Sequence, residues 1–218
     1  KRPVFEGDRD GAAAEMRKAI AMNATRVHYR IELGKVLMAK EGGEKDAEEA
    51  LRKALTAFPD NQKLMTMLGS LLFKTKRFDD AINVLEKATK NAREAGAKQR
   101  NPEGFYMLGK IFRDEKKDQA KAIENLTFAA NQSFANANVA SNVYDELSTL
   151  YDVKGDKGAA RGNWEKALNA DSENPPAICH FVRFLRKGAD PKDAERIKEL
   201  AKKYVEVAPK GECIGEMR

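Results

Sequence analysis

A short helical pattern recurs along this chain: an alanine, a large apolar residue four positions later, and a second alanine three positions after that. The copies are Ala12/Met16/Ala19, Ala47/Leu51/Ala54, Ala81/Leu85/Ala88, Ala122/Leu126/Ala129 and Ala160/Trp164/Ala167. Residues three and four apart lie on one face of an α-helix, and small residues on that face let a neighbouring helix approach closely. The recurrence predicts repeated helical units rather than a fold around one central sheet.

A second signal keeps the same register. The pairs Leu33-Gly34, Leu68-Gly69, Leu108-Gly109 and Leu147-Ser148 each precede the next alanine pattern by 12 or 13 residues. Together the two signals predict helical hairpins in which a Gly or Ser of the first helix faces the small residues of the second. A lone hairpin cannot bury its apolar face, so the hairpins must stack before burial outweighs the loss of chain entropy.

The remaining sequence also favours helix. Segments with apolar residues three and four apart, rich in Ala, Leu, Met, Lys and Glu, are Val27–Lys40, Ala47–Ala57, Lys63–Lys74, Asp79–Ala95 and Phe105–Asp114. No β-branched alternating run predicts a strand, and most prolines lie between the periodic segments. Hydrophobic residues at 42% and charged residues at 34% are typical of a core-forming chain. No apolar run approaches the roughly 20 residues of a membrane span.

The pattern resembles the tetratricopeptide repeat, a helix–turn–helix unit of about 34 residues. The best copy is Gln62–Ala95, in which the family positions are held by Leu68, Gly69, Leu72, Arg77-Phe78, Ala81, Leu85 and Ala88. A second copy, Ser141–Asn174, matches through Tyr144, Leu147, Ser148, Tyr151, Gly155, Ala160, Trp164 and Ala167. The resemblance covers essentially the whole chain and implies an all-α, right-handed superhelical solenoid of antiparallel helix pairs.

This resemblance predicts a single solenoid over residues 1–218. Its expected divisions are a partial repeat at 1–26, repeats at about 27–61, 62–101, 102–140 and 141–174, a terminal repeat at 175–210 and a tail at 211–218. The terminal repeat is degenerate, because Phe181-Val182 replaces the small residue and Lys198 takes a large apolar position. Extra residues at 91–101 are expected to lengthen a helix and turn at Gly96, and those at 133–138 approximate one helical turn. Tolerated surface loops are favoured over partner contacts at both insertions.

Side chains with catalytic or metal-binding chemistry are few. His28 and His180 are the only histidines, Cys179 and Cys213 are the only cysteines, and no Gly-rich phosphate loop, HExxH or CxxC motif occurs. Adjacent residues such as Cys179 and His180 point about 100° apart on a helix, which is poor geometry for a shared metal or a nucleophile–base pair. We therefore predict no catalytic residue, no metal site, no cofactor and no enzymatic activity.

The two cysteines lie 34 residues apart and would occupy equivalent positions of successive repeats if the tail continues as helix. Stacked helices lie about 8–10 Å apart, whereas a disulfide requires Cα atoms within about 7 Å. We expect free thiols. Two cysteines leave the compartment undecided: the cytoplasm is favoured, and the periplasm is open if an N-terminal signal has been removed.

Basic residues exceed acidic ones, 40 against 34, which raises the question of nucleic acid. The two signs alternate along the helices, as in Glu44–Arg52 and Asp114–Asp118, and this is typical of solvated helix faces. The strongest basic cluster, Arg183, Arg186 and Lys187, is short and belongs to no RNA-binding motif. Nucleic-acid binding is therefore disfavoured.

In the family that this chain resembles, the first helix of every pair lines a concave surface. The groove residues implied by that register are His28, Ile31, Lys35, Met38, Lys63, Thr66, Met67, Ser70, Phe73, Tyr106, Met107, Lys110, Arg113, Asn142, Asp145, Thr149 and Asp152. The first three helices combine Met and aromatic residues with Lys and Arg, which suits an acidic-hydrophobic segment of a partner, whereas the fourth turns acidic. Packing between helices stays open as an alternative for each apolar member.

Family members that capture the acidic tails of heat-shock chaperones use a clamp of Lys, Asn and Arg on successive first helices. The corresponding positions here hold Ile31, Lys35, Met67, Glu103 and Met107, so binding of chaperone tails is disfavoured. We predict a non-enzymatic adaptor or assembly scaffold that binds a peptide, a helix or a folded partner in the groove. The alternatives are self-assembly through unfinished terminal repeats and, less favoured, RNA binding by helical repeats.

Overall fold

The structure is a computed structural model that describes residues 8–94 and 100–217, the side chain of Asn91 excepted. Every regular element within these residues is helical, which confirms the prediction of an all-α fold built from helix pairs. The chain divides into two compact units, Lys1–Lys117 and Asp118–Arg218, called unit 1 and unit 2 below.

Unit 1 contains six α-helices among its described residues. They are α1 Arg9–Met22, α2 Val27–Ala39, α3 Glu44–Ala57, α4 Gln62–Lys74, α5 Phe78–Glu94 and α6 Pro102–Asp114. Asn61 and Asn101 begin α4 and α6, since each side chain accepts a hydrogen bond from a first-turn N–H, at 3.0 and 3.1 Å. Pro102 follows at the first helical position, where no partner for its nitrogen is needed. The expected turn at Gly96 lies outside the described residues.

Consecutive helices of unit 1 pack together, and α4 also contacts both α2 and α6. The helices α2, α4 and α6 are the first helices of the pairs. Glycines on them permit the close approach that the sequence pattern predicts. A Cβ at Gly34 would lie 2.9 Å from both Leu51 Cδ2 and Met67 Cε, and a Cβ at Gly69 would overlap the buried Leu85 side chain. Only glycine fits at these contacts without moving its neighbours.

Ion pairs connect successive helix pairs along unit 1. The pairs are Lys40–Asp10 at 2.6 Å, Lys74–Glu44 at 2.8 Å and Lys116–Asp79 at 2.5 Å. In each, a cation at or just beyond the end of a first helix meets a carboxylate in the first turn of the preceding second helix, where the helix dipole also favours negative charge. These side chains are largely exposed, so each pair contributes little stability.

The described part of unit 2, up to residue 217, contains six further α-helices and one 3₁₀ turn, Pro191–Asp193. The helices are α7 Gln119–Ala130, α8 Ala137–Lys154, α9 Lys157–Ala170, α10 Pro175–Gly188, α11 Ala194–Val207 and α12 Ile214–Met217. Consecutive helices pack together, and the first helices α8 and α10 also contact each other. The extra residues at 133–138 lie partly in the irregular connection before α8 and partly in its first turn, which the Asn136 side chain caps.

An aromatic cluster occupies the core of unit 2. Trp164 and Phe181 are 2% and 0% exposed, and their rings stack with centroids 5.8 Å apart. The Phe184 ring centroid lies 4.7 Å from that of Trp164, and Phe184 is only partly buried. The Trp that replaces Leu in the alanine pattern is therefore the centre around which α8, α9 and α10 pack.

Cys179 and Cys213 form a disulfide, with Cα atoms 6.1 Å apart, so the expectation of free thiols was wrong. That expectation used the distance of about 8–10 Å between the axes of stacked helices. Cys213 instead lies in the turn between α11 and α12, and its N–H donates a hydrogen bond to Tyr204 Oη at 3.1 Å. A turn can approach α10 more closely than a stacked helix can.

Candidate functional site

The predicted groove residues of α2 and α4 divide by accessibility. His28, Lys35 and Lys63 are exposed, and Ile31, Met38, Ser70 and Phe73 are partly buried. Thr66 and Met67 are 6% and 7% exposed, which favours packing between helices for these two residues. A side chain covered to that degree offers a partner almost no surface.

Thr66 and Met67 are buried because they take part in helix packing. Thr66 Oγ1 donates to the backbone carbonyl of Gln62 at 2.8 Å and accepts a hydrogen bond from Asn101 Nδ2 at 2.9 Å. Met67 fills the space beside Gly34. The N-cap of α6 thus reaches back over α4, a contact that helical spacing alone does not reveal.

The predicted residues of α6 are all partly buried: Tyr106, Met107, Lys110 and Arg113. Lys110 Nζ lies 5.7 Å from the centre of the Tyr106 ring, a cation–π contact. Arg113 Nε donates to Asp114 Oδ1 at 2.6 Å, and this hydrogen bond lowers the pKa of the Asp114 carboxyl. The first helices of unit 1 therefore present apolar and basic side chains together.

In unit 2, the predicted residues Asn142, Thr149 and Asp152 of α8 are partly buried, and Asp145 is buried at 5% exposure. Asn174, the N-cap of α10, donates to Asn142 Oδ1 at 2.8 Å. Asn174 here repeats the role of Asn101 in unit 1: both link a helix start to the preceding first helix.

Asp145 is the third predicted groove residue that the structure buries. Its carboxylate accepts hydrogen bonds from Trp164 Nε1 at 2.8 Å and from His180 Nδ1 at 2.9 Å. The imidazole of His180 therefore faces the carboxylate through Nδ1. Asp145 acts as a buried anchor that orients two rings rather than as a surface contact.

A pocket of about 170 Å³ opens between α8 and α10. It is lined by Thr149, Asp152, Val153, Trp164, His180, Arg183, Phe184 and Lys187. Aromatic side chains form its apolar surface, and charged side chains surround it. We call it the α8–α10 pocket.

The charges around the α8–α10 pocket are partly paired. Asp152 Oδ1 accepts a hydrogen bond from Lys157, and Asp152 Oδ2 lies 3.8 Å from Lys187 Nζ. Arg183 Nε donates to Glu216 Oε2 at 2.8 Å, and this interaction lowers the pKa of the Glu216 carboxyl. The cations thus outnumber the acids that face the pocket from α8 and α10.

Several of these lining residues escaped the sequence prediction. The groove prediction stops at α8 and does not extend to α10. Asp145 and His180 are separated by 35 residues, and the same step leads from Thr149 to Phe184 and from Asp152 to Lys187. The groove register therefore identifies His180, Phe184 and Lys187 when it is applied to the degenerate terminal repeat, but it does not identify Arg183.

The remaining features of the described residues do not point to a site on the first helices. A cleft of about 490 Å³ lies between α1, α2 and α3, and its rim mixes Arg17 and Lys53 with Asp46 and Glu49. Within 8–94 and 100–217, no cluster of three or more His, Cys, Asp or Glu side chains could hold a metal ion. None of the helices in these ranges has the length and apolar character needed to cross a bilayer.

Comparison with protein-family models gives a match to the tetratricopeptide repeat over residues 40–100. Curated protein sequences give no match.

Solved structures of similar fold include PilF of Pseudomonas aeruginosa, at 20% identity and a TM-score of 0.78 over 96% of this chain and 89% of that one. BtubC (BKLC) from P. vanneervenii has 19% identity and a TM-score of 0.72, covering 93% of this chain and 90% of the other. YrrB, described as a TPR protein with an unusual peptide-binding site, has 19% identity and a TM-score of 0.63 over 91% and 94%. At these identities the similarity concerns the fold.

Proposed function

Because this chain is a tetratricopeptide repeat protein, we propose that it is a non-enzymatic adaptor that holds a protein partner on the faces of its first helices. The fold supports an interaction role in general. The partner and the contact residues are the proposal.

The observation that carries the proposal is the mixture of accessible side chains on these faces. In unit 1, partly buried Ile31, Met38 and Phe73 lie on the same helices as exposed Lys35 and Lys63. Apolar side chains supply contact area, and the surrounding cations select an acidic partner and speed its approach.

The helices that carry these side chains are held in place before any partner arrives. Asparagine side chains cap the starts of α4, α6, α8 and α10. A preformed face incurs little ordering cost on binding, which leaves more of the contact energy for affinity.

The proposal is tested by reversing charge on the faces of unit 1. The partner is first isolated by affinity purification from the native source, identified and purified. We expect the triple variant Lys35→Glu, Lys110→Glu, Arg113→Glu to bind that partner about tenfold or more weakly in calorimetric titration. Circular dichroism should show unchanged helicity.

The matched control reverses three exposed lysines on the second helices, Lys45→Glu, Lys87→Glu and Lys90→Glu. It changes the net charge equally and should leave affinity almost unchanged. Equal weakening by both triples would mean that only overall charge matters, and no weakening by the first triple would place the partner elsewhere.

Self-association is the second candidate. Met22 on α1 is 88% exposed, whereas Cys213 and Met217 of unit 2 are buried against α10 and α11. The covered residues of unit 2 favour an adaptor over stacking at that face. Light scattering at increasing concentration tests this: a monomer mass throughout supports the adaptor, and a rising mass supports self-association.

RNA binding would regain support from an affinity for generic RNA that survives physiological salt.

A further inference from the structure

We propose that the α8–α10 pocket recognises a peptide segment in which one aromatic or large aliphatic side chain is flanked by carboxylates. This inference rests on the proposed adaptor function and names the kind of partner that unit 2 would take.

The size and lining of the pocket suit one apolar side chain. A volume of about 170 Å³ is comparable to the cavity of about 150 Å³ that accepts a benzene ring in an engineered protein core. The Trp164 and Phe184 ring centroids lie 4.7 Å apart with their planes at 47°, so the two rings together form one apolar wall of the pocket. Val153 borders the pocket and is 64% exposed, so it adds apolar surface for the neighbouring part of the segment.

His180 adds a polar contact beside this apolar surface. Its Nδ1 faces the buried Asp145 carboxylate, which holds the imidazole in one orientation. Nε2 can then form one hydrogen bond with a bound peptide.

The requirement for carboxylates follows from the charges around the pocket. Lys157 on α9 and Lys187 on α10 both lie close to one partly buried acid, Asp152, and Arg183 on α10 lines the same pocket. Arg183 already holds a carboxylate, that of Glu216, and the two side chains are 49% and 45% exposed. An open ion pair of this kind is readily exchanged. Arg183 can therefore exchange Glu216 for a carboxylate of the ligand.

Trp164 provides a direct test, because it is the only tryptophan in the chain and lines the pocket. The probe is a capped pentapeptide with a central Phe and two Glu on each side. We expect a saturable change in tryptophan fluorescence with a dissociation constant below about 1 mM. Replacing the Phe by Ala, or the four Glu by Lys, should weaken binding about tenfold or more.

Two surface variants separate the pocket from the rest of unit 2. Val153→Asp and Lys187→Glu alter exposed side chains and should each weaken binding of the pentapeptide about fivefold or more. Lys202→Glu, an exposed position on α11, makes the same charge change away from the pocket and should have no effect. Equal binding of the Lys peptide, or equal loss in the Lys202→Glu control, would overturn the proposal.

The outcome for the pocket is distinguishable from that for the adaptor function. No fluorescence change at millimolar pentapeptide, together with weakened partner binding by the unit 1 charge-reversal triple, would overturn the pocket and leave the adaptor intact. Pentapeptide binding that is lost with Val153→Asp, together with an unaffected unit 1 triple, would support the pocket and overturn the unit 1 face.

Discussion

Units 1 and 2 begin from the same alanine pattern and achieve helix packing in different ways. In unit 1, glycine on the first helix faces leucine on the second, as with Gly69 and Leu85. In unit 2 the equivalent residues are Ser148 and Trp164. The larger indole extends to the face of the first helices and forms part of a pocket there. A change of one core residue within a repeat can therefore create a pocket without changing the fold.

The units also differ in what supplements the core. Unit 1 uses a row of exposed ion pairs between successive helix pairs. Unit 2 uses a disulfide, a buried carboxylate and the two-bond pair between Arg161 and Asp193. Since Trp164 is the only tryptophan, its fluorescence reports on unit 2, whereas circular dichroism reports on both units. The comparison can thus be tested variant by variant.

Loss of the aromatic core should have the largest effect. Phe181 is fully buried against Trp164, so Phe181→Ala should lower the free energy of unfolding by about 3–5 kcal/mol. Urea titration followed by Trp164 fluorescence measures this. A loss below about 1 kcal/mol would mean that the aromatic stack does not hold unit 2 together.

Removal of the disulfide should come next. It closes a loop between residues 34 apart, and Cys213→Ser should cost about 2–4 kcal/mol in the Trp164 transition. Dithiothreitol should shift the wild type by the same amount and the variant not at all. Mass spectrometry of unreduced peptides that found both cysteines unpaired would contradict the linkage itself.

Substitution of the close-packed glycine in unit 1 should follow. Gly69→Ala places a methyl group against Leu85 and should destabilise by about 1–3 kcal/mol. Gly162→Ala, at an exposed position inside α9 with open space around it, is the matched control and should stabilise by about 0.5–1 kcal/mol. If both changes acted with the same sign, the close contact in unit 1 would not be the cause.

The smallest effect should appear in the pH dependence of unit 2. Hydrogen bonds from Arg161 lower the pKa of the Asp193 carboxyl. A carboxyl whose pKa is lower in the folded state stabilises above its unfolded pKa of about 3.9 and loses this contribution as the pH falls through the folded value. Between about pH 5 and pH 2, the urea midpoint should therefore fall further for the wild type than for Asp193→Asn. Identical slopes for the two proteins would remove this pair from the account of unit 2.

The helices were predictable because their signal is local. The apolar spacing and the asparagine and proline residues at helix starts act within a few residues, and Val27–Lys40 and Lys63–Lys74 match α2 and α4 closely. The close approach at Gly34 and Gly69 was predictable too, because the register relates each glycine to the helix that follows it. The burial of individual groove residues was less predictable. Thr66, Met67 and Asp145 are buried, and they contact Asn101, Gly34 and Trp164, respectively. Each of these partners lies outside the helix of the residue that it contacts.

By itself, the sequence determined the helical class, the pairing of helices and the lack of common catalytic motifs, because all three depend on the spacing of residues along the chain. Only the tertiary structure decided that Cys179 meets Cys213, that Asp145 orients His180, and that the core residue Trp164 also borders a pocket. These depend on the path of a turn and on the size of side chains contributed by three helices. Periodicity records which face a residue lies on, but not how closely the opposing surfaces fit.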